Sequence, residues 1–270
     1  MNDSGKRGVR IGFAQFCPAL LEREANLEKI ERLLRGVDAN LLVLPELATT
    51  GYALPDRDTA IAAAEPIPGP TTERLASLAC DMDGHLVVGL AEIAGDRLFN
   101  SAALIGPEGV VAVTRKTHLF GDEKDLFDPG NTGFAVVDIG ALKVGTMICF
   151  DWAFPEAART LARRGAQIIA HPSNLVLPYA LQAMPVRSIE NRVFAVTCNR
   201  WGEEKDRDGP LRFRGESMII SPSGEILASA PPAADSVRVV EIDPKAAENK
   251  WITQRNHLFE DRRPNMYEKK

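Results

Sequence analysis

Four apolar runs of this chain stop on side chains that can do chemistry. NLLVLPE ends at Glu46, VVAVTRK at Lys116, KVGTMIC at Cys149 and QIIAHPSN at Asn174. Strands of a buried sheet deliver ligand-binding groups at their carboxyl ends, where loops and helix starts meet. If these four ends converge, a carboxylate, an ammonium, a thiol and an amide share one pocket, and that set has a reaction. A thiolate attacks a carbonyl or nitrile carbon. A carboxylate within hydrogen-bond reach takes the thiol proton and later returns it to the leaving amine. A lysine and the backbone N–H after the nucleophile, here that of Phe150, hold the developing oxyanion. The ammonium and the helix expected soon after Cys149 would both favour the thiolate.

The residues alone leave other readings open. The chain has four cysteines, Cys17, Cys80, Cys149 and Cys198, with no CxxC pair and no Cys/His ligand spacing. Each is expected to be a free thiol in a reducing compartment, and an inert buried thiol is the ordinary state of such a residue. A Cys–His thiol hydrolase using His118 or His171 is a second reading, since His171 also stands at a strand end. A non-catalytic interaction protein and a small-molecule sensor are readings from other classes.

The elements that would position these groups follow from periodicity. Apolar runs predict strands over residues 9–16, 40–44, 85–93, 134–139, 143–149, 167–171, 193–199, 216–221, 225–228 and 237–242. Residues 97–105 and 110–116 read as a hairpin around the turn GPEG. Helical spacing predicts helices over residues 22–37, 70–82, 155–164 and 178–192, the last broken at Pro185, with a short one over 245–251. A long polar segment, 117–133, separates Lys116 from the next strand, and such a loop inside a compact domain is usually functional. Many strands with helices falling between strand pairs suit two sheets packed face to face with helices outside.

Composition bounds the rest. The 270 residues are 45% hydrophobic and 26% charged with a net charge of −5, an ordinary globular balance with room for a substantial core. No basic stripe exists to neutralise phosphates, so nucleic acid is not an expected partner. No apolar run is long enough to span a bilayer, and the polar start MNDSGKRGVR lacks the core of a secretory signal. A cytoplasmic protein is expected. Residues 1–8 should be a frayed tail, residues 9–270 one domain, and 256–270 a C-terminal extension able to reach a dimer partner.

At the chemistry-bearing residues the sequence resembles the nitrilase, or carbon–nitrogen hydrolase, superfamily. The segments LPELATTGY, RKTHLFGDE and MICFDWAFPEAAR carry that family's Glu–Lys–Cys triad in its order, as Glu46, Lys116 and Cys149. The likeness continues through HPSNLVLPYALQAMPVRSIENR to EDRRPNMY. It implies a four-layer α-β-β-α sandwich of two mixed sheets. It also implies a second glutamate, Glu123, that orients the cysteine, the lysine or the attacking water. Catalysis would pass through a thioester with no metal or organic cofactor. The resemblance further implies a homodimer or higher homo-oligomer, for which the helices over 155–164 and 178–192 are the candidate contacts.

Within that family the run Phe150–Asp151–Trp152–Ala153–Phe154 is mostly apolar, where carbamoyl-cleaving relatives often carry a basic pair. Tyr52, Phe120 and Trp152 could line a small apolar pocket, with Asn174 as a polar contact. A small aliphatic amide is therefore the first expected substrate, an aliphatic nitrile the second, and an N-carbamoyl compound the third.

Overall fold

A computed structural model describes residues 8–177, 179–206 and 209–267. The first sheet runs in the order β14–β1–β2–β3–β4–β5. Its strands are β1 (Val9–Gln15), β2 (Leu41–Val43), β3 (His85–Ala94), β4 (Arg97–Gly106), β5 (Gly109–Arg115) and, closing the chain's course, β14 (Ser236–Ile242). The second runs β13–β12–β9–β8–β7–β6, built from β6 (Val136–Asp138), β7 (Lys143–Thr146), β8 (Ile168–Pro172), β9 (Phe194–Cys198), β12 (Met218–Ile220) and β13 (Ile226–Ser229). Between β9 and β12 in sequence, β10 (Trp201–Asp206) and β11 (Gly209–Arg214) form a separate hairpin.

Each sheet has a parallel centre and antiparallel flanks. In the first, β1, β2 and β3 are parallel; in the second, β7, β8 and β9 are. Parallel neighbours need crossovers, and helices supply them: α1 (Arg23–Leu34), α2 (Arg57–Ala63) and α3 (Pro70–Met82) on the first sheet, α5 (Pro155–Arg163) and α6 (Ala180–Asn191) on the second. Leu27, Ile30 and Leu34 of α1 and Leu75, Ala79 and Met82 of α3 meet the outer face of the first sheet at Leu42, Leu86 and Val88. Burying a leucine or isoleucine of this kind contributes about 2 kcal/mol. The inner faces meet each other, with Ile11, Phe13, Val43 and Val87 against Val144, Ile168 and Val196. The result is the expected sandwich, helices outside and two sheets within. No helix among the described residues is long and apolar enough to cross a membrane.

Several expectations need correction. The helix carrying Pro185 is not broken: α6 runs through it. Only the single hydrogen bond that residue 185 would make is lost, and Leu181, Met184 and Ser188 anchor the helix on both sides of it. The expected helix over 245–251 is a single 3₁₀ turn, Pro244–Ala247, after which Trp251–Thr253 pairs with Asn256–His257 as a small ribbon. The strand expected to run to Cys149 stops at Thr146, and Cys149 opens a 3₁₀ turn, Cys149–Ala153. Within the 117–133 segment lies a one-turn helix, α4 (Glu123–Leu126). The expected tail, apart from Gly8, lies outside the described residues, as do Pro178 and 268–270.

Candidate active site

Both carboxylate and lysine are placed by backbone rather than by side-chain choice. Past β2 the chain folds back along β3, with Gly89 N–H donating to Pro45 O at 3.1 Å and Ala48 N–H to Gly89 O at 2.8 Å. Glycine is required at this crossing, because a Cβ on Gly89 would lie 2.3 Å from Glu46 Cα. Lys116 directly follows β5. Its N–H donates to Asn100 O at 2.8 Å, and its carbonyl accepts from Gly130 N–H at 2.9 Å. A Cβ on Gly130 would lie 2.6 Å from that carbonyl oxygen, so the polar loop can return onto the lysine only through a glycine.

The side chains then close into one cluster. Lys116 Nζ donates to Glu46 Oε1 at 2.7 Å and to Glu123 Oε1 at 2.6 Å, and both Lys116 and Glu46 are fully buried. Asn100 Nδ2 gives Glu46 Oε1 a second bond at 2.7 Å. Glu123 is held by Tyr52 Oη on Oε1 (2.8 Å) and by Phe120 N–H on Oε2 (3.2 Å). Glu46 Oε2 is buried and has no hydrogen-bond partner among the described residues. Burial works against the ammonium, but Glu123, Glu46 and Cys149 outweigh it and hold Lys116 above the ordinary lysine range. Burial raises the Glu123 carboxyl, with Lys116 opposing and Glu46 adding.

Cys149 enters with φ +41°, a left-handed conformation that costs a non-glycine residue about 1 kcal/mol. Neighbours hold it there. His171 Nε2 lies 2.9 Å from the Cys149 carbonyl oxygen and its Nδ1 lies 3.1 Å from Thr197 Oγ1. Asp151, fully buried, accepts from Ile148 N–H (2.9 Å) and from His118 through its N–H (3.1 Å) and Nδ1 (2.7 Å). The ammonium and the turn after Cys149 do not prevail over burial. Burial, then Glu46, push the Cys149 thiol well above its usual range, and Lys116 and the Asn174 backbone N–H only partly offset them. Burial also drives His171 down to about 4, so its ring is neutral near pH 7 and is engaged with the Cys149 carbonyl.

A narrow cavity opens over the sulfur. It holds about 220 Å³ of space, part of it open to solvent, and is lined by Phe120, Cys149, Phe150, Trp152, Asn174, Leu175, Val176, Leu177 and Ala180. Phe120, Trp152 and Asn174 thus stand where a pocket wall was expected, and Phe150 sits beside them in the turn that Cys149 opens. Tyr52 is not on the wall; its hydroxyl is bound to Glu123 and its ring lies edge-on to Phe213 at 5.8 Å. Asn174 also reaches across, donating from Nδ2 to Glu46 O at 2.9 Å. The one acid in the run after Cys149, Asp151, faces His118 and Ile148 rather than the cavity. Among the described residues no three His, Cys, Asp or Glu side chains group as a metal site.

Sequence reasoning missed Asn100 and the role of Asp151. A signal for Asn100 existed, since an amide inside the apolar strand FNSAALIG is buried and must find partners. Asp151 gave none, because its side-chain partner His118 is 33 residues away and its other partner, the Ile148 N–H three residues back, is a backbone group.

Comparisons with known proteins show the family and the fold. Residues 10–250 match the family described as carbon-nitrogen hydrolase. Over 263 residues the chain is 47% identical to a nitrilase of Pyrococcus abyssi, covering 96% of this chain and 99% of that one. A carbon-nitrogen hydrolase from Helicobacter pylori G27 superposes with a TM-score of 0.86 at 26% identity, over 96% of this chain and 97% of that chain. A mutant of the amidase from Nesterenkonia sp. AN1 superposes at 0.78 and 25% identity, over 97% of this chain and 96% of that one. In that structure the acetamide moiety of fluoroacetamide is added covalently at the active-site cysteine.

Proposed function

The chain belongs to the carbon–nitrogen hydrolase family and is an enzyme of the nitrilase and amidase type; on that premise we propose that it hydrolyses a small, uncharged amide to a carboxylic acid and ammonia, with Cys149 as nucleophile. The observation that carries the reading is the pair of unlike oxygens on Glu46. Oε1 takes Lys116 and Asn100, while Oε2 is buried without a partner. A buried carboxylate oxygen left open, on a group whose charge holds the proton on the Cys149 thiol, is suited to take that proton as the sulfur attacks. Attack forms the S–C bond and moves the carbonyl electrons onto oxygen, where Lys116 and the Phe150 N–H receive them. Glu46 returns the proton to the departing ammonia, leaving a thioester. Water, deprotonated by Glu46, then attacks the thioester carbon, and Cys149 leaves as the thiol. Glu123 keeps Lys116 aimed.

An amide is favoured over an N-carbamoyl acid because no charged side chain lines the cavity wall, so a substrate carboxylate would be desolvated without a partner. An aliphatic nitrile would pass through a thioimidate at the same sulfur and remains the second reading, supported by the identity to the Pyrococcus nitrilase. His171 is disfavoured as base, since its ring is engaged with the Cys149 carbonyl. The reading takes residues 9–270 as one hydrolase domain. It places the free thiols Cys17, Cys80, Cys149 and Cys198 in the cytoplasm. It pairs two copies through the exposed Tyr179, Val186 and Ile189 around α6 and the exposed Trp251, Ile252 and Tyr267 of the C-terminal segment; sedimentation of the purified chain tests the pairing.

The test of function is ammonia release from a panel of small amides, ureido acids and aliphatic nitriles, with Cys149→Ala as control. Cysteine-dependent release from amides is the expected result. Release only from ureido acids or only from nitriles would replace the substrate, and release that survives Cys149→Ala would overturn the mechanism.

A further inference from the structure

A second buried ion pair lies behind the cluster. Arg200, just past the end of β9, is fully buried and is paired with the carboxylate of Glu204 on β10. The same guanidinium donates to Pro18 O at 3.1 Å and stacks 4.3 Å from the ring centroid of Phe213 on β11. Burying two full charges is costly, and such pairs persist where they specify a geometry rather than where they add stability.

The geometry specified here leads to the active site. Glu204 Oε2 accepts from the backbone N–H groups of Tyr52 at 2.9 Å and Ala53 at 2.7 Å. The loop is pressed onto that carboxylate. Gly51 has φ +77°, and a Cβ on it would lie 2.9 Å from both Glu204 Oε1 and Leu20 Cα. At the other end of the Tyr52 side chain, Oη donates to Glu123 Oε1 at 2.8 Å, the same oxygen that takes Lys116 Nζ at 2.6 Å. Contacts therefore run without a break from Arg200 through Glu204 and Tyr52 to Glu123 and Lys116.

We infer that Glu204 is a positioning residue for the reaction: by fixing the backbone of Tyr52 it sets the Glu123 carboxylate, and through it the aim of Lys116 at the oxyanion. The inference rests on the roles proposed above for Lys116 and Cys149. Glu204 itself does not line the cavity, so it acts on rate and not on substrate fit. The terminal torsion of a glutamate is broad, so the bond from Lys116 cannot by itself fix Glu123. The Tyr52 hydroxyl and the Phe120 N–H supply the remaining restraints. Small misplacements of catalytic groups carry large rate penalties.

Two variants test this. Glu204→Gln keeps the shape but turns one acceptor oxygen into a donor, facing either Arg200 or the Tyr52 and Ala53 N–H groups. Tyr52→Phe removes only the hydroxyl. On a turned-over amide, each should lower kcat about tenfold with KM within about twofold, and the double variant should be little worse than either single one. A purely structural role would lower Tm and leave kcat unchanged, or would make the two losses multiply; either result overturns the inference. Should Glu204→Gln fail to fold, Glu204→Asp keeps the charge and withdraws it by one methylene, and its kcat should fall between wild type and Tyr52→Phe; wild-type kcat there overturns the inference.

A readout independent of substrate separates this from failure of the amidase reading. Alkylation of Cys149 by iodoacetamide is followed against pH by peptide mapping. Burial raises the Glu123 carboxyl and the Tyr52 bond opposes that rise, while an ionised Glu123 disfavours the thiolate. Both variants should therefore shift the alkylation midpoint to lower pH by the same amount. Midpoints that stay at the wild-type value overturn the inference. The predicted shift in a protein that turns over no amide sinks the amidase reading and leaves the inference standing.

Discussion

The two sheets bring different things to the cleft they share. The first contributes charge: Glu46 after β2 and Lys116 after β5, each fully buried, with Asn100 of β4 beside them. Within that trio the buried polar atoms left without a partner among the described residues are Glu46 Oε2 and Asn100 Oδ1. The second contributes shape: the left-handed Cys149 turn after β7, the Asn174 segment after β8, and apolar walls from Trp152 to Ala180. Charge that is prearranged costs no reorganisation when the oxyanion forms, whereas an apolar wall discriminates among acyl groups by fit. The division implies that changes on the first sheet alter how fast the reaction runs, and changes on the second alter which molecule undergoes it, with the sulfur as the point where both fail together.

The largest effect is therefore expected at Cys149. Replacing it with alanine should lower ammonia release by on the order of 10⁴-fold or more with unchanged circular dichroism; retained activity would break the comparison at its centre. Lys116→Ala comes next, with a loss in kcat of about 10²–10³-fold, and a loss of tenfold or less would mean that the first sheet's charge is structural. His171→Gln sharpens the claim that the second sheet holds the nucleophile by geometry. The folded-state value for His171, about 4, lies below the free value of 6.5. Its contribution to stability is therefore fully present above pH 6.5 and is lost as pH falls through 4. Wild type should lose up to about 3 kcal/mol more than His171→Gln over that window, read by urea titration at each pH; parallel curves would remove His171 from the account. The smallest effect belongs to the wall. Ala180→Leu should narrow the cavity and Trp152→Ala widen it, shifting the kcat/KM preference between a two-carbon and a four-carbon amide about tenfold in opposite directions. Equal preference in both variants would mean that the wall does not select.

Much of this was legible because burial and chemistry coincide at strand ends. An apolar run that stops on Glu, Lys or Cys is readable without a structure, and Pro70–Met82 was read to its exact bounds from helical spacing. What escaped was held by partners far along the chain. The β10–β11 hairpin, WGEEKD and GPLRFR, shows mostly charged residues to solvent and buries little beyond Glu204 and Phe213. Its period-2 pattern is therefore faint, although the Asp208–Gly209 pair was a turn signal. Tyr52 was read as a wall residue because an aromatic near a catalytic motif suits a pocket; its hydroxyl, the part that matters, is indistinguishable in sequence from one bound to water. A Cys149 thiol that gives its proton to Glu46 was the expectation, but how strongly burial holds that proton was not legible. Sequence showed the lysine and the helix that favour a thiolate, but not the depth of burial that defeats them.

That buried thiol has a consequence for survival under oxidative stress. Peroxide oxidises the thiolate, so a cysteine whose thiol is pushed up by burial and is 5% exposed is expected to react slowly at rest. Exposed Cys80, on the far side of α3, offers the easier target. Limited peroxide followed by mass mapping should find sulfenic acid at Cys80 before Cys149, with hydrolytic activity intact while the surface thiol is consumed.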